Sequence, residues 1–270
     1  LKTVLITGAC GGLGNKMSMY FAEKGWQVIA TVHHFDLVEG LTIHPNIKFY
    51  ALDVTSTESI ETAKKEILKD YKTIDVIINN AGKGYRSFVE LSTDSEIDSI
   101  VNVNWLGVVK TCRAFIPVFR AQNFGQFINI TSVAGLVNLP LGNFYHSTKQ
   151  AIESFSECMS YELIDFNISV CTVQFGNAPT NFQKNVIKSK PTNNVHYNAM
   201  MLKIDTILAK KTCKNNDLID TIVEKIYRIS ENPKKSFRRY AIGFDANFMK
   251  YFRRILCYRA FNFVIKKKIL

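Results

Sequence analysis

Largely apolar runs of five to seven residues recur at 3–7, 27–32, 47–52, 74–79, 126–131 and 168–174, separated by longer stretches of mixed character. Helix-like stretches run from Asn15 to Lys24, around Ile100 to Phe119, and from Ser147 to Phe166, the last free of Gly and Pro. Short apolar runs alternating with helical stretches predict a mainly parallel sheet covered by helices on both faces. Tyr240-Ala241-Ile242-Gly243 is suited to one more strand. The pattern therefore predicts an α/β, doubly wound domain with about seven strands. No internal repeat, low-complexity tract or linker divides residues 1–270, and a core of this size suits a single domain.

Three short segments add chemistry to that frame. Thr7-Gly8-Ala9-Cys10-Gly11-Gly12-Leu13-Gly14 follows the apolar run Val4-Leu5-Ile6 and precedes a helix-like stretch, the strand–turn–helix setting of a dinucleotide site. Glycines there allow the turn and let backbone N–H groups approach a pyrophosphate at the helix N-terminus. Asn79-Asn80-Ala81-Gly82 ends the fourth run. In Tyr145-His146-Ser147-Thr148-Lys149 the Tyr and Lys stand four residues apart near the predicted start of a helix, on one face. A phenol of ordinary pKa near 10 is a poor proton shuttle at neutral pH, and an ammonium beside it is expected to lower that value. Ser132 ends the strand-like run Phe127-Ile128-Asn129-Ile130-Thr131, so its hydroxyl is expected at a strand's carboxyl end, where α/β folds place their ligands.

With these residues the chain resembles the short-chain dehydrogenase/reductase family over nearly its whole length. The family's Thr-Gly-x-x-x-Gly-x-Gly falls on Thr7, Gly8, Gly12 and Gly14, its Asn-Asn-Ala-Gly on residues 79–82, and its Asn, Ser, Tyr, Lys tetrad on Asn104, Ser132, Tyr145 and Lys149. The resemblance implies a Rossmann-type fold, a nicotinamide cofactor, no metal, and an oxidoreductase interconverting an alcohol and a ketone or aldehyde. It implies Tyr145 as the general acid or base, Ser132 on the substrate oxygen, Lys149 on the tyrosine and the nicotinamide ribose, and Asn104 as a water-holding link to a proton relay. Cofactor contacts implied in the same way are Gly8, Gly12, Leu13, Gly14, His33, Asp53, Val54, Asn80, Ala81, Gly82, Tyr145, Lys149, Ala178 and Thr180. Homodimers or homotetramers, assembled through the helices bearing Asn104 and Tyr145, are implied as well. The chain departs from the pattern after the sixth strand, where Phe175-Gly176 replaces the usual Pro-Gly.

The end of the second strand bears on cofactor choice. Selectivity for NAD usually needs an acid there to hold the ribose 2′-hydroxyl, and this chain has Val32, followed by His33 and His34. Imidazoles can donate to a 2′-phosphate, so NADP(H) is favoured over NAD(H), with Asp36 as the competing feature.

Charge is concentrated at one end. Of the formal +11, residues 234–270 contribute +10, from eleven basic side chains against Asp245. Phe248, Tyr251, Phe252, Ile255 and Leu256 recur there at helical spacing, and Phe261, Phe263, Val264 and Ile265 continue the apolar supply. This basic amphipathic segment suits three roles: packing on the protein's own core or a partner subunit, lying on an anionic membrane, or docking an acidic carrier protein. Its aromatics are spaced for a helix face, which disfavours nucleic acid.

Residues 181–213 are expected to form a substrate lid, with Met200, Met201, Leu202, Ile204, Ile207 and Leu208 available to line a lipophilic pocket for a steroid-like, retinoid-like or 3-oxoacyl compound. Six cysteines, at 10, 112, 158, 171, 213 and 257, show neither metal-ligand spacing nor a compact disulfide pattern. With no leader before the first strand and no apolar run of about 18 residues, the expectation is a cytoplasmic enzyme, with a peripheral membrane location open to it through the basic segment. The rival reading is a non-catalytic nucleotide sensor or scaffold using its basic tail, which would not need the Tyr145–Lys149 pair.

Overall fold

Strand β1 (Thr3–Thr7) is an interior strand of a seven-stranded sheet. The computed structural model describes the chain apart from residues 42, 179, 180, 184, 213–217, 256, 257 and 270, and apart from the side chains of 181, 209–212, 254, 258, 268 and 269. The remaining strands of the sheet are β2 (Gln27–Val32), β3 (Ile47–Ala51), β4 (Val76–Asn79), β6 (Gly125–Ile130), β7 (Ile168–Phe175) and β9 (Arg238–Ile242). Their spatial order is β3-β2-β1-β4-β6-β7-β9, every neighbouring pair parallel. A separate two-stranded parallel ribbon joins β5 (Tyr85–Arg86) to β8 (Ile187–Lys188).

The apolar runs are continuous because both faces of the sheet are covered. Val4, Ile6, Val28, Ala30, Val76, Ile78, Ile128 and Val173 pack on one side against Met17 and Phe21 of α1 (Gly12–Glu23) and Ile222, Val223 and Ile226 of α7 (Leu218–Glu231). The alternate residues Leu5, Ile29, Ile77, Phe127 and Val170 meet α2 (Thr57–Asp70), α4 (Gly107–Gln122) and α5 (Asn143–Leu163) on the other. Such period-two partition is what a buried parallel strand requires.

Strand order reverses between β1 and β4, so their carboxyl ends open a crevice, the usual ligand position in such sheets. Helix α3 (Asp94–Val101), whose N-terminus carries a capping box of Thr93 and Glu96, packs against α5, and α6 (Val195–Thr212) follows the β8 strand. Helices α8 (Phe244–Ile255) and α9 (Tyr258–Ile269) complete the chain. Among the described residues no helix is long and apolar enough to cross a membrane, and Cys10, Cys112, Cys158 and Cys171 are free thiols; Cys213 and Cys257 lie outside them.

Candidate active site

The glycine turn and the loop after β4 interlock. Thr7 Oγ1 accepts from the backbone N–H groups of Asn80 and Ala81, each at 3.0 Å, while Asn80 Nδ2 donates to the carbonyls of Thr7 (2.9 Å) and Gly8 (3.2 Å). Gly8 has φ +66°, and a Cβ there would come within 2.9 Å of the Ala81 Cα, so the position demands glycine for conformation and for space. A Cβ on Gly14 would collide with the Gly8 carbonyl oxygen. Asn80, expected among the cofactor contacts, thus has its amide nitrogen committed to shaping the turn.

Beyond the turn, α1 starts at Gly12 with Gly11 as its N-cap, with no side-chain cap hydrogen bond and no acid in its first turn. By contrast, Ser56 caps α2 and Thr93 caps α3 through side-chain oxygens. First-turn N–H groups left without a capping side chain, behind the exposed Gly11 and Gly12, fit an anionic pyrophosphate. Leu13 faces inward onto the sheet core.

Along the crevice, Val32 is buried at the end of β2, and the exposed rings of His33 and His34 meet edge to face, 4.8 Å apart. Asp53 Oδ1 accepts from both the N–H and the hydroxyl of Thr55 at 2.8 Å. Val54 packs against Gly107, where a Cβ would lie 2.8 Å from a Val54 methyl. Ala178 is buried after β7; Thr180, expected among the cofactor contacts, lies outside the described residues. Gly176, of the departing Phe175-Gly176 pair, lies against Asp245 at the start of α8, where a Cβ would be 3.2 Å from that residue's Cβ.

The tetrad positions gather at the carboxyl ends of β4 and β6. Ser132 lies two residues beyond the end of β6, its hydroxyl accepting from Ala134 N at 3.2 Å. Tyr145 and Lys149 occupy the first two turns of α5. The loop leading into that helix holds Leu141 at φ +65°, a left-handed conformation uncommon for a residue with a Cβ. Lys149 is buried, and its ammonium donates to the Ile130 carbonyl at 3.0 Å and lies 5.9 Å from the centre of the Tyr145 ring. A Cβ on Gly82 would stand 3.3 Å from Asn104 Oδ1 and 3.8 Å from Lys149 Nζ, so glycine leaves room for the approach of those two groups.

Asn104 is not in a continuous helix as its surroundings predict. It sits in a π-helical segment, Asn102–Leu106, that joins α3 to α4, a local expansion often found at functional sites. Fully buried, its amide accepts from Lys83 N at 2.8 Å, donates to Lys83 O at 2.9 Å, and reaches Thr148 Oγ1 at 3.5 Å.

Electrostatics at this centre correct one expectation. Burial pushes the Tyr145 hydroxyl up to about 12, a hydrogen bond from Ser132 only partly opposing it, rather than Lys149 drawing it down. Burial also pushes the Lys149 ammonium down to about 8, against the pull of Glu153. The reason is geometric: the ammonium is tied to Ile130 and faces the ring, so desolvation of each group outweighs their mutual attraction. The free protein therefore holds Tyr145 as a protonated acid.

Glu153 was not singled out by the sequence, although its place four residues after Lys149 puts it one turn along the same helix face. It is buried and accepts from Thr131 Oγ1 (2.5 Å), Thr172 Oγ1 (2.8 Å) and Arg239 Nε (3.1 Å). On the open side of the crevice Phe182 leans on the Tyr145 ring, with centroids 6.1 Å apart. Met200, Met201, Ile204 and Leu208 of α6 join Phe88, Leu139 and Leu141 in an apolar cluster, whereas Leu202, expected to line the pocket, is 70% exposed. Arg86 fastens this cover, donating to Asp205 (2.8 Å) and Gln183 (2.9 Å). Among the described residues no group of acids, histidines and cysteines is arranged to hold a metal.

Comparison with known proteins agrees with this architecture. The sequence model of the family described as short chain dehydrogenase matches residues 2–191. The chain is 35% identical over 184 residues to the 3-ketodihydrosphingosine reductase of Bacteroides thetaiotaomicron, covering 68% of this chain and 66% of that protein, a little under two thirds. It is 30% identical over 240 residues to the NADP-dependent 3-hydroxy acid dehydrogenase of Schizosaccharomyces pombe, covering 82% of this chain and 92% of that one. The crystal structure of a short-chain dehydrogenase from Streptomyces avermitilis superposes with a TM-score of 0.83 at 26% identity, covering 98% and 96% of the two chains.

Proposed function

Since the chain belongs to the short-chain dehydrogenase/reductase family, an NAD(P)-dependent oxidoreductase group acting on CH–OH groups, we propose that it reduces or regenerates the carbonyl of a lipophilic substrate, with NADP(H) as the preferred cofactor. The observation carrying this reading is the gathering of Ser132, Tyr145 and Lys149 beneath the apolar cover of Phe182 and α6. When bound, the nicotinamide supplies hydride to the carbonyl carbon or removes it from the alcohol.

The chain's own residues handle the oxygen and its proton. Ser132 donates a hydrogen bond to the substrate oxygen and stabilises the charge that develops there. Tyr145, protonated in the free protein, delivers its proton to that oxygen in reduction. Lys149 stabilises the resulting phenolate from across the ring and binds the cofactor ribose. Asn104 and Thr148 extend a polar path behind the lysine and hold the Lys83 segment in place. The uncapped start of α1 would receive the pyrophosphate, Asp53 and Val54 would hold the adenine, and Ala81 and Gly82 would contact the rest of the nucleotide.

Preference for NADP(H) is supported by the exposed His33 and His34 and by the absence of a carboxylate at Val32. A substrate oxidised at carbon 3 is supported by the names of two relatives, a 3-keto reductase and a 3-hydroxy acid dehydrogenase. Assembly into a homodimer or homotetramer is supported by Tyr161 and Ile164, large apolar side chains exposed at the end of α5 and just beyond it.

Fluorescence titration with NADPH and NADH, followed by oxidation of the preferred form against long-chain 3-oxo lipids, steroid ketones and retinal, tests the proposal. Binding with turnover upholds it. Binding without turnover across the panel shifts the protein to a nucleotide-sensing role, and no binding removes the premise.

A further inference from the structure

The last two helices keep large apolar side chains outside the protein. On α8, Phe244 (82% exposed), Phe248 (49%), Tyr251 (59%) and Ile255 (80%) fall at i, i+4, i+7 and i+11, a single stripe along the helix. The two helices pack through residues next to the stripe: Phe252 stacks on Phe248 at 5.3 Å and meets Phe261 at 5.9 Å, and Arg253 lies over the Phe261 ring at 5.5 Å. On α9, Phe263 is 67% exposed, and Arg259, Lys266 and Lys267, at i−4, i+3 and i+4 from it, are exposed on the same face. Lys250 of α8 is exposed as well, on another side of the helix, its ammonium donating to the Arg239 carbonyl at 3.5 Å. Soluble surfaces rarely gather aromatics in this way without a partner.

Charge selects among the occupants. Arg259, Lys266 and Lys267 around Phe263 would set like charges face to face if a second copy of the chain covered this surface. An anionic lipid surface presents what both features need, phosphates at the level of the basic groups and an apolar layer directly beneath for the rings. A functional link runs inward from this surface. Ile265 of α9 packs on the cluster formed by Met200, Met201, Ile204 and Leu208 of α6 with Leu141, the residue of the loop that leads into the Tyr145 helix.

We propose that α8 and α9 dock the protein on an anionic lipid surface, Phe244, Phe248, Tyr251, Ile255 and Phe263 entering the interface and Arg259, Lys266 and Lys267 meeting the headgroups. Docking in this way sets the α6 cover beside the bilayer from which the substrate is drawn, and that second clause rests on the function proposed above.

Co-sedimentation of the full chain with phosphatidylcholine vesicles, with and without phosphatidylglycerol, tests the docking. The intact protein is expected to pellet with the anionic vesicles at least about tenfold more tightly than with the neutral ones, and to be released by salt. Two variants, Phe244→Ser/Tyr251→Ser/Ile255→Ser and Lys266→Gln/Lys267→Gln, are each expected to lose about tenfold in vesicle affinity while unfolding at the wild-type temperature and retaining NADPH oxidation with a water-soluble ketone. Failure of the intact protein to pellet overturns the proposal, as does wild-type binding by both variants. Conversion of an oligomer to a monomer in either variant assigns the face to a second copy, and retention on an acidic protein without vesicle binding assigns it to a protein partner; both overturn it. Vesicle binding by a protein that reduces no ketone upholds docking and removes only the substrate clause.

Discussion

Arg239, on the edge strand β9, donates from Nε to Glu153 Oε2 at 3.1 Å across the last step of the sheet, although the two residues are 86 positions apart. Its Nη2 also reaches Glu157 at 2.6 Å, so one guanidinium ties the C-terminal strand to two successive turns of α5. Glu153 stands one turn beyond Lys149 and opposes the desolvation that pushes the lysine down. The edge of the sheet is thereby coupled to the charge state of Lys149.

Replacing Glu153 with Gln keeps the shape and most of the hydrogen bonds but removes the negative charge. Lys149 should then lose its proton at lower pH than in the wild type, because burial acts on it without that opposing charge. The pH profile of kcat/KM is expected to lose its alkaline side earlier, by up to about one pH unit. A profile superimposable on wild type would show that Glu153 acts only as a structural clamp.

Tyr145→Phe removes the proton donor while leaving the ring that packs on Phe182. Loss of a general acid costs roughly 10²–10⁴ in rate, so kcat should fall by that order. NADPH affinity is expected to be unchanged, since Lys149 keeps its contact with Ile130. Stopped-flow turnover alongside cofactor titration separates the two; near wild-type kcat would remove Tyr145 from the mechanism.

The strands were readable because a parallel sheet covered on both faces needs unbroken apolar runs, and the glycine turn was readable because Gly8 and Gly14 have no steric substitute. Other features leave little trace in a sequence. A π segment adds a residue to a turn without altering composition, so Asn104 reads as ordinary helix. The ribbon of β5 and β8 has two residues per strand, too few to show a period. No Gly or Pro interrupts 244–269, yet the chain forms two helices, α8 and α9, packed through Phe252 and Phe261. The Arg239–Glu153 pair depends on the order of strands in space, which the spacing of residues does not encode.

Cofactor selection tests the reading of the β2 end. His33→Ala should weaken NADPH by about three- to tenfold and leave NADH unaffected, because only the former offers a 2′-phosphate to the exposed ring. Val32→Asp should move preference toward NADH. It should also lower the melting temperature, since Val32 is 1% exposed and a carboxylate there loses its hydration. Equal losses for both nucleotides in His33→Ala would place the 2′-phosphate elsewhere.

Stability should rise with alkalinity over a defined window, for a reason lodged in Lys149. Its ordinary value of 10.5 in an unfolded chain falls to about 8 in the native site. Below about pH 8 both states hold the proton, and the native state bears the full cost of a buried charge, on the order of 3 kcal/mol. Between about 8 and 10.5 the unfolded state binds more protons at this site than the native one, so unfolding becomes less favourable as pH rises. Tyr145 reverses the trend higher up: native Tyr145, raised from 10.0 to about 12, keeps its proton where the unfolded chain loses it, and stability falls between those values. Lys149→Met removes the first effect and leaves the second. Urea unfolding at pH 7 and pH 9.5 is therefore expected to show the wild type gaining about 2 kcal/mol on the variant between the two conditions. A constant difference would mean that the ammonium is solvated in the native state, and the same result would weaken its assignment as the charge facing Tyr145.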